Sequence, residues 1–160
     1  MAAEYSANAL QTVEVNAPVI FTESPVPCNR GLIFHRDESG IFRLANNAGS
    51  NGCNCGCGCR RLYETLYGIS FHANIAVAED GEAEPIQLTI SIDGEPDPSS
   101  TMIVTPAAVG DFQNVGAEIF VAVPSLCGCA SVSVRNTSTQ AIDVQNANLT
   151  INYLGVRRVF

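Results

Sequence analysis

At 160 residues the chain is long enough to bury one hydrophobic core without covalent help, and 46% apolar residues exclude a disordered polyelectrolyte. Sixteen acids face eight basic residues, every one an arginine, for a net charge of −8. This balance argues against a nucleic-acid surface, which needs clustered Lys and Arg, and the lack of lysine removes Schiff-base chemistry.

The opening MAAEYSANALQ has no basic or apolar signal region. No apolar run approaches the roughly 20 residues of a spanning helix. The expectation is a chain made in a cytosol, without membrane insertion. Residues 1–9 read as an N-terminal arm and 10–160 as a single domain, opening with an early strand pair at Leu10–Val15 and Pro18–Phe21. Short strand candidates follow at Gly31–Arg36 and Gly40–Leu44, separated by the turn residues Asp37–Gly40.

Period-two alternation is clearest from Tyr63 to Val77, where Tyr63, Thr65, Tyr67, Ile69, Phe71, Ala73, Ile75 and Val77 share one face. Gly68 reads as a bulge in that strand rather than a turn. The pattern recurs at Ile86–Ile92, Thr101–Thr105, Val115–Val123, Ser131–Arg135 and Ala141–Val144, and a last strand uses Ala147, Leu149, Ile151 and Tyr153. Many short strands separated by turn chemistry predict an all-β protein, an antiparallel β-sandwich or jelly roll.

In an antiparallel sandwich successive connections alternate between two ends. Counting from Gly31–Arg36 places the loop 45–60, the loop Asp93–Ser100 and the segment Pro124–Cys129 at the same end as Cys28. All seven cysteines, Cys28, Cys53, Cys55, Cys57, Cys59, Cys127 and Cys129, are then expected together.

The run Asn51–Arg60, NGCNCGCGCR, alternates cysteine with glycine or asparagine. Zinc fingers use Cys-x2–4-Cys pairs, so Cys-x-Cys spacing is closer to a metallothionein-like cluster. Its candidate ligands are Cys53, Cys55, Cys57, Cys59, Cys127 and Cys129. Disulfides are the other reading. Cysteines two apart bond each other only with strain, whereas bridges from the Cys53–Cys59 loop to Cys28, Cys127 or Cys129 are easier. An odd count leaves at least one thiol free or pairs it between chains. A loop of inert thiols is the third reading.

No Cys-x-x-Cys is present, and neither His35 nor His72 sits beside a recognisable nucleophile or acid partner, so no enzyme is expected. The acidic stretches Glu79–Glu84 and Asp93–Asp97 match no EF-hand loop and read as surface turns. The sequons at Asn136 and Asn148 carry little weight without a signal peptide. Arg157 and Arg158 read as a solvated terminus.

The segments QTVEVNAPVIFTESPVP and CNRGLIFHRDESGIF, residues 11–42, carry a resemblance, as do FHANIAVAEDGEAEPIQLTISIDGEP and NTSTQAIDVQNANLTI. Together they resemble a family of small jelly-roll proteins encoded among the virion genes of phages and prophages of Firmicutes. That family is similar to the C1q/TNF-like trimeric jelly rolls. The resemblance implies a homotrimer displayed on the virion surface, as a capsid decoration, head-fibre or fibre-tip protein. It implies a capsid or fibre protein as partner, no cofactor and no activity. The four-cysteine run is longer than that family's loop cysteines. Two other functions stay open: an adhesion module gripping a host glycan or surface protein through the loops Glu79–Pro85 and Pro106–Asp111, and a cysteine-cluster metal-binding protein.

Overall fold

The computed structural model describes residues 1–28, 31–47, 62–125 and 128–159. Two antiparallel sheets face each other. The first contains β1 (Ala2–Ala7), β2 (Gln11–Val13), β3 (Glu23–Val26), β6 (Leu62–Val77), β10 (Gln113–Pro124) and β12 (Ile142–Val159). Its order is β10-β6-β12-β1-β3, with β2 also alongside β12. The second contains β4 (Ile33–His35), β5 (Phe42–Ala45), β7 (Ile86–Ile92), β8 (Glu95–Pro96), β9 (Met102–Val104) and β11 (Cys129–Asn136). Its order is β4-β5-β11-β7-β8, with β9 also on β7.

Alternation drives this arrangement. On β6 the odd positions Tyr67, Ile69, Phe71, Ala73 and Ile75 are buried against the second sheet's Phe42, Leu44, Leu88, Ile90, Val132 and Val134 in one continuous core. The Ile86–Ile92 expectation coincides with β7. The others from Gly31 to Arg135 are matched with ends displaced by a few residues.

Four expectations need correction. Residues 1–9 are not an arm: Ala2–Ala7 forms β1, paired along its whole length with Ala147–Asn152 of β12 and on its other side with β3. Its short alternating pattern of Ala3, Tyr5 and Ala7 buries as a strand of small residues does, and is too brief to stand out in sequence. The early strand pair is reduced to β2, while Pro18 makes a single bridge to Arg135 of β11 and Phe21 one to Ser39 in the β4–β5 connection. Gly68 is not a bulge, since β6 runs through it in unbroken register with β10.

The two final strands are in fact one. β12 carries a bulge between Gln145 and Asn148, with Asn146 at φ 52°. The extra residue shifts the phase of burial from Ile142 and Val144 to Ala147, Leu149 and Ile151, so both halves face the core. A turn of sequence is absent because none is needed. A second irregularity lies between Tyr153 and Gly155.

The hairpin from β7 to β8 turns at Asp93 and Gly94, both at positive φ (52° and 88°), the conformation that suits a tight two-residue connection. Asp97 then caps a short 3-10 turn, Pro98–Ser100, by accepting from the Ser99 N–H at 2.9 Å.

Candidate functional site

The cysteine end is built by strand termini. Cys129 opens β11 opposite Ala45 at the end of β5. Asn46 N–H donates to the Gly128 carbonyl at 2.9 Å, beside the start of β11, and Ser125 N–H, just after β10, to that of Tyr63 at 2.9 Å. Asn47 bridges the sheets, its N–H donating to Thr65 Oγ1 at 2.7 Å and its amide to the Tyr153 hydroxyl at 3.0 Å. Tyr67 points to the same end and donates its hydroxyl to the carbonyls of Ala45 and Leu32.

Cys28 reaches this end from the other side. Its Sγ lies 3.9 Å from Met1 Sδ, and the Met1 carbonyl accepts from Tyr153 N–H at 2.8 Å. Burial, with Cys28 nearby as a second cause, pushes the phenols of both Tyr5 and Tyr67 up to about 12. Cys28 and Cys129 thus stand at the end where strand counting puts them. Cys53, Cys55, Cys57, Cys59 and Cys127 lie outside the described residues. Among the described residues there is no disulfide, and no three histidine, cysteine or carboxylate groups converge to hold a metal ion.

The opposite end gathers acids. Gln140 is hydrogen-bonded both ways with Glu82 of the facing loop, and Gly110 N–H donates to the Val77 carbonyl at 3.2 Å. A cavity of about 500 Å³ opens here, rimmed by Glu14, Glu79, Asp80, Glu82 and Asp143 around Leu10 and Thr12. The second acidic stretch does not contribute. Asp93 accepts from Ser131 N–H at 2.7 Å, and Asp97 is the cap described above, so both shape the chain.

The histidines occupy different settings. His35 stacks on Phe42 with ring centroids 4.4 Å apart, and its Nε2–H donates to the Ser39 carbonyl at 2.8 Å. Its Nδ1 is buried with no partner. His72 is exposed on the outer face of β6, between Gly116 and Asn148. Asn136 is fully buried and structural: its amide donates to the carbonyls of Val13 and Gln140, and its oxygen accepts from Ser138 N–H. Arg157 pairs with Glu64 across β12 and β6 at 2.9 Å.

The surface that strand reading missed lies on the outer face of the first sheet. Phe120 is 71% exposed and Leu154 53% exposed. Phe120 pairs with Gly68 across the sheet, and Phe120 and Leu154 together flank that glycine. The signal was present: on β10 the wet positions are Gly116, Glu118, Phe120 and Ala122, and an aromatic ring is out of phase there.

No protein-family model matches the chain, and no curated protein matches it. Solved structures do. Eiger TNF from S. frugiperda is 12% identical, over 97% of this chain and 92% of that one, with a TM-score of 0.56. Murine APRIL is 8% identical, over 96% and 100%, with a TM-score of 0.55. At such identities the likeness establishes architecture, and the chain has a TNF-like jelly-roll fold.

Proposed function

We propose that the chain is a non-enzymatic, self-associating jelly-roll protein that works by presenting surfaces, and that it assembles as a homotrimer through the outer face of its first sheet. The exposed apolar patch of Phe120 and Leu154 around Gly68 carries this reading. A contiguous apolar patch on an otherwise polar sheet face marks an interaction site, and burying each large side chain contributes roughly 2 kcal/mol. A cyclic interface repeats that gain at every contact. The TNF-like fold and the resemblance in residues 11–154 support the trimer.

The same resemblance supports placement on a phage particle, as a capsid decoration, head-fibre or fibre-tip protein. Native mass spectrometry of the full chain tests the assembly: three times the 16.9 kDa chain mass is expected, and Phe120→Ser gives monomer with its fold retained. A wild-type monomer at micromolar concentration would end the trimer reading. For the particle, proteomics of purified virions from the producing host is expected to detect this polypeptide, and its absence overturns that assignment.

A further inference from the structure

The outer face of the second sheet is different in character. Arg43 on β5 and Arg135 on β11 point outward there, and Arg36 follows β4 where the chain turns towards β5. Sixteen acids against eight arginines would allow every guanidinium a carboxylate. Yet among the described residues the ion pair formed is Arg157 with Glu64, at the end of the first sheet. Arg36, Arg43 and Arg135 form none, although Asp37 and Glu38 directly follow Arg36.

Two exposed apolar side chains stand among them. Phe34, 51% exposed, is the cross-strand partner of Arg43, and Ile41, 48% exposed, precedes β5. Arg135 donates through Nε to Ser133 Oγ at 3.1 Å, which lays its side chain along the sheet rather than out into water. Ser133 pairs across to Ser91, and both serines are buried, so the accessible surface here is that of Arg135 itself.

Separation decides the ligand class. Arg43 pairs with Ser131, four residues from Arg135, so the Cα atoms of Arg43 and Arg135 stand roughly 14 Å apart at about 3.4 Å per residue. That is too far for one small anion to bridge and suits a polymer with repeated acid groups. Guanidinium forks bind carboxylate and sulfate in bidentate fashion, and an exposed phenyl ring offers a flat apolar surface to a sugar's C–H face. A duplex offers phosphates but no free sugar C–H face for Phe34, so the exposed ring beside Arg43 favours a polysaccharide over a nucleic acid.

We propose that this face binds an acidic polysaccharide, with Arg36, Arg43 and Arg135 holding its carboxylate or sulfate groups and Phe34 seating a sugar ring. It lies on the opposite side of the sandwich from Phe120, so it stays open in an oligomer built through the first sheet, and the two proposals stand or fall separately.

Isothermal titration of the full chain at low salt tests it, with polygalacturonate and dextran sulfate as carboxylate and sulfate probes, and neutral dextran and duplex DNA as controls. Binding to at least one acidic polysaccharide is expected, weakening as salt rises, with the stronger of the two naming the acid group. The double variant R36Q/R43Q loses at least tenfold in affinity and R135Q several-fold, with unchanged melting temperatures, while R157Q/R158Q binds as wild type. No binding to either acidic polymer, equal binding to neutral dextran, stronger binding to DNA, or equal loss in R157Q/R158Q would overturn the proposal.

Discussion

The ring of Phe120 lies against Gly68, its partner across β10 and β6, and Leu154 closes over the same glycine from the other side. Gly68 is therefore buried on a face otherwise open to solvent. A Cβ at this position would sit 3.6 Å from both Phe120 Cε1 and Leu154 Cδ1, ordinary van der Waals contact. Replacing glycine by alanine in a strand restricts the unfolded chain, worth about 0.4–1 kcal/mol. Gly68→Ala should raise the melting temperature by roughly 1–3 °C. A drop of several degrees would mean that the two side chains do not leave the space described.

Asn136 makes three hydrogen bonds from a fully buried position, joining β11 to β2 and to the turn before β12. Asn136→Ala strands two carbonyls and one N–H, at about 1 kcal/mol or more each. The expected loss is about 3–4 kcal/mol in urea unfolding. Asn136→Asp should be worse, because a carboxylate would face the carbonyls of Val13 and Gln140. Equal stability of wild type and Asn136→Asp would show that the Asn136 amide donates to neither carbonyl.

Strand periodicity made most of this fold legible before any coordinates, because each long strand has one wet and one dry face. It failed where the period was interrupted or too short. β1 has three buried side chains in alternation, two of them alanine, and so little apolar weight. β3 includes Pro25 and is fully exposed at a sheet edge, where a missing N–H costs little. The interaction faces were legible only as exceptions, such as Phe120 on the wet side of β10. Cross-strand neighbours, which sequence order conceals, turn such exceptions into patches. The location of Cys28 and Cys129 at one end followed from counting reversals alone.

The bulge at Asn146 is where β12 departs from simple alternation, and it carries its own test. Asn tolerates the left-handed conformation better than most residues, and its φ is 52°. Asn146→Gly should be close to neutral, whereas Asn146→Ala should cost about 1–2 kcal/mol. Deleting residue 146 would swing Ile142 and Val144 out of the core or expose Ala147, Leu149 and Ile151 instead, so no soluble folded product is expected. Soluble, cooperatively melting deletion protein would show that the two halves of β12 are not locked in phase by this residue.

His35 donates one ring nitrogen to Ser39 and leaves Nδ1 buried without a partner between Phe42 and Tyr5. The Ser39 carbonyl also accepts from Phe21 N–H at 3.3 Å, so removing the imidazole does not strand it. His35→Phe keeps the stacked ring and removes the unsatisfied nitrogen, and its stability should lie within about 1 kcal/mol of wild type. His35→Ala opens a gap against two aromatic rings and should cost roughly 2 kcal/mol. If the phenylalanine variant is as unstable as the alanine one, the polar atoms of the imidazole contribute more than its packing does.

Tyr67 and Tyr5 tie the stability of the fold to alkaline pH. Burial first, and Cys28 second, push both phenols from 10 up to about 12. A phenol whose pKa is higher in the folded chain keeps its proton there after the unfolded chain has lost it. Its contribution is therefore intact below pH 10 and is lost as pH rises from about 10 to 12. Each tyrosine should lower stability by about 1.4 kcal/mol per pH unit across that window. Tyr67→Phe gives up the hydroxyl's bonds to Ala45 and Leu32, about 1 kcal/mol near neutrality, but Ala45 N–H still donates to the Leu32 carbonyl. Urea unfolding at about pH 8, 10 and 11 should show the variant less stable at the lowest pH and falling about half as steeply above the ordinary phenol pKa. Parallel curves for wild type and Tyr67→Phe would remove Tyr67 from the alkaline transition.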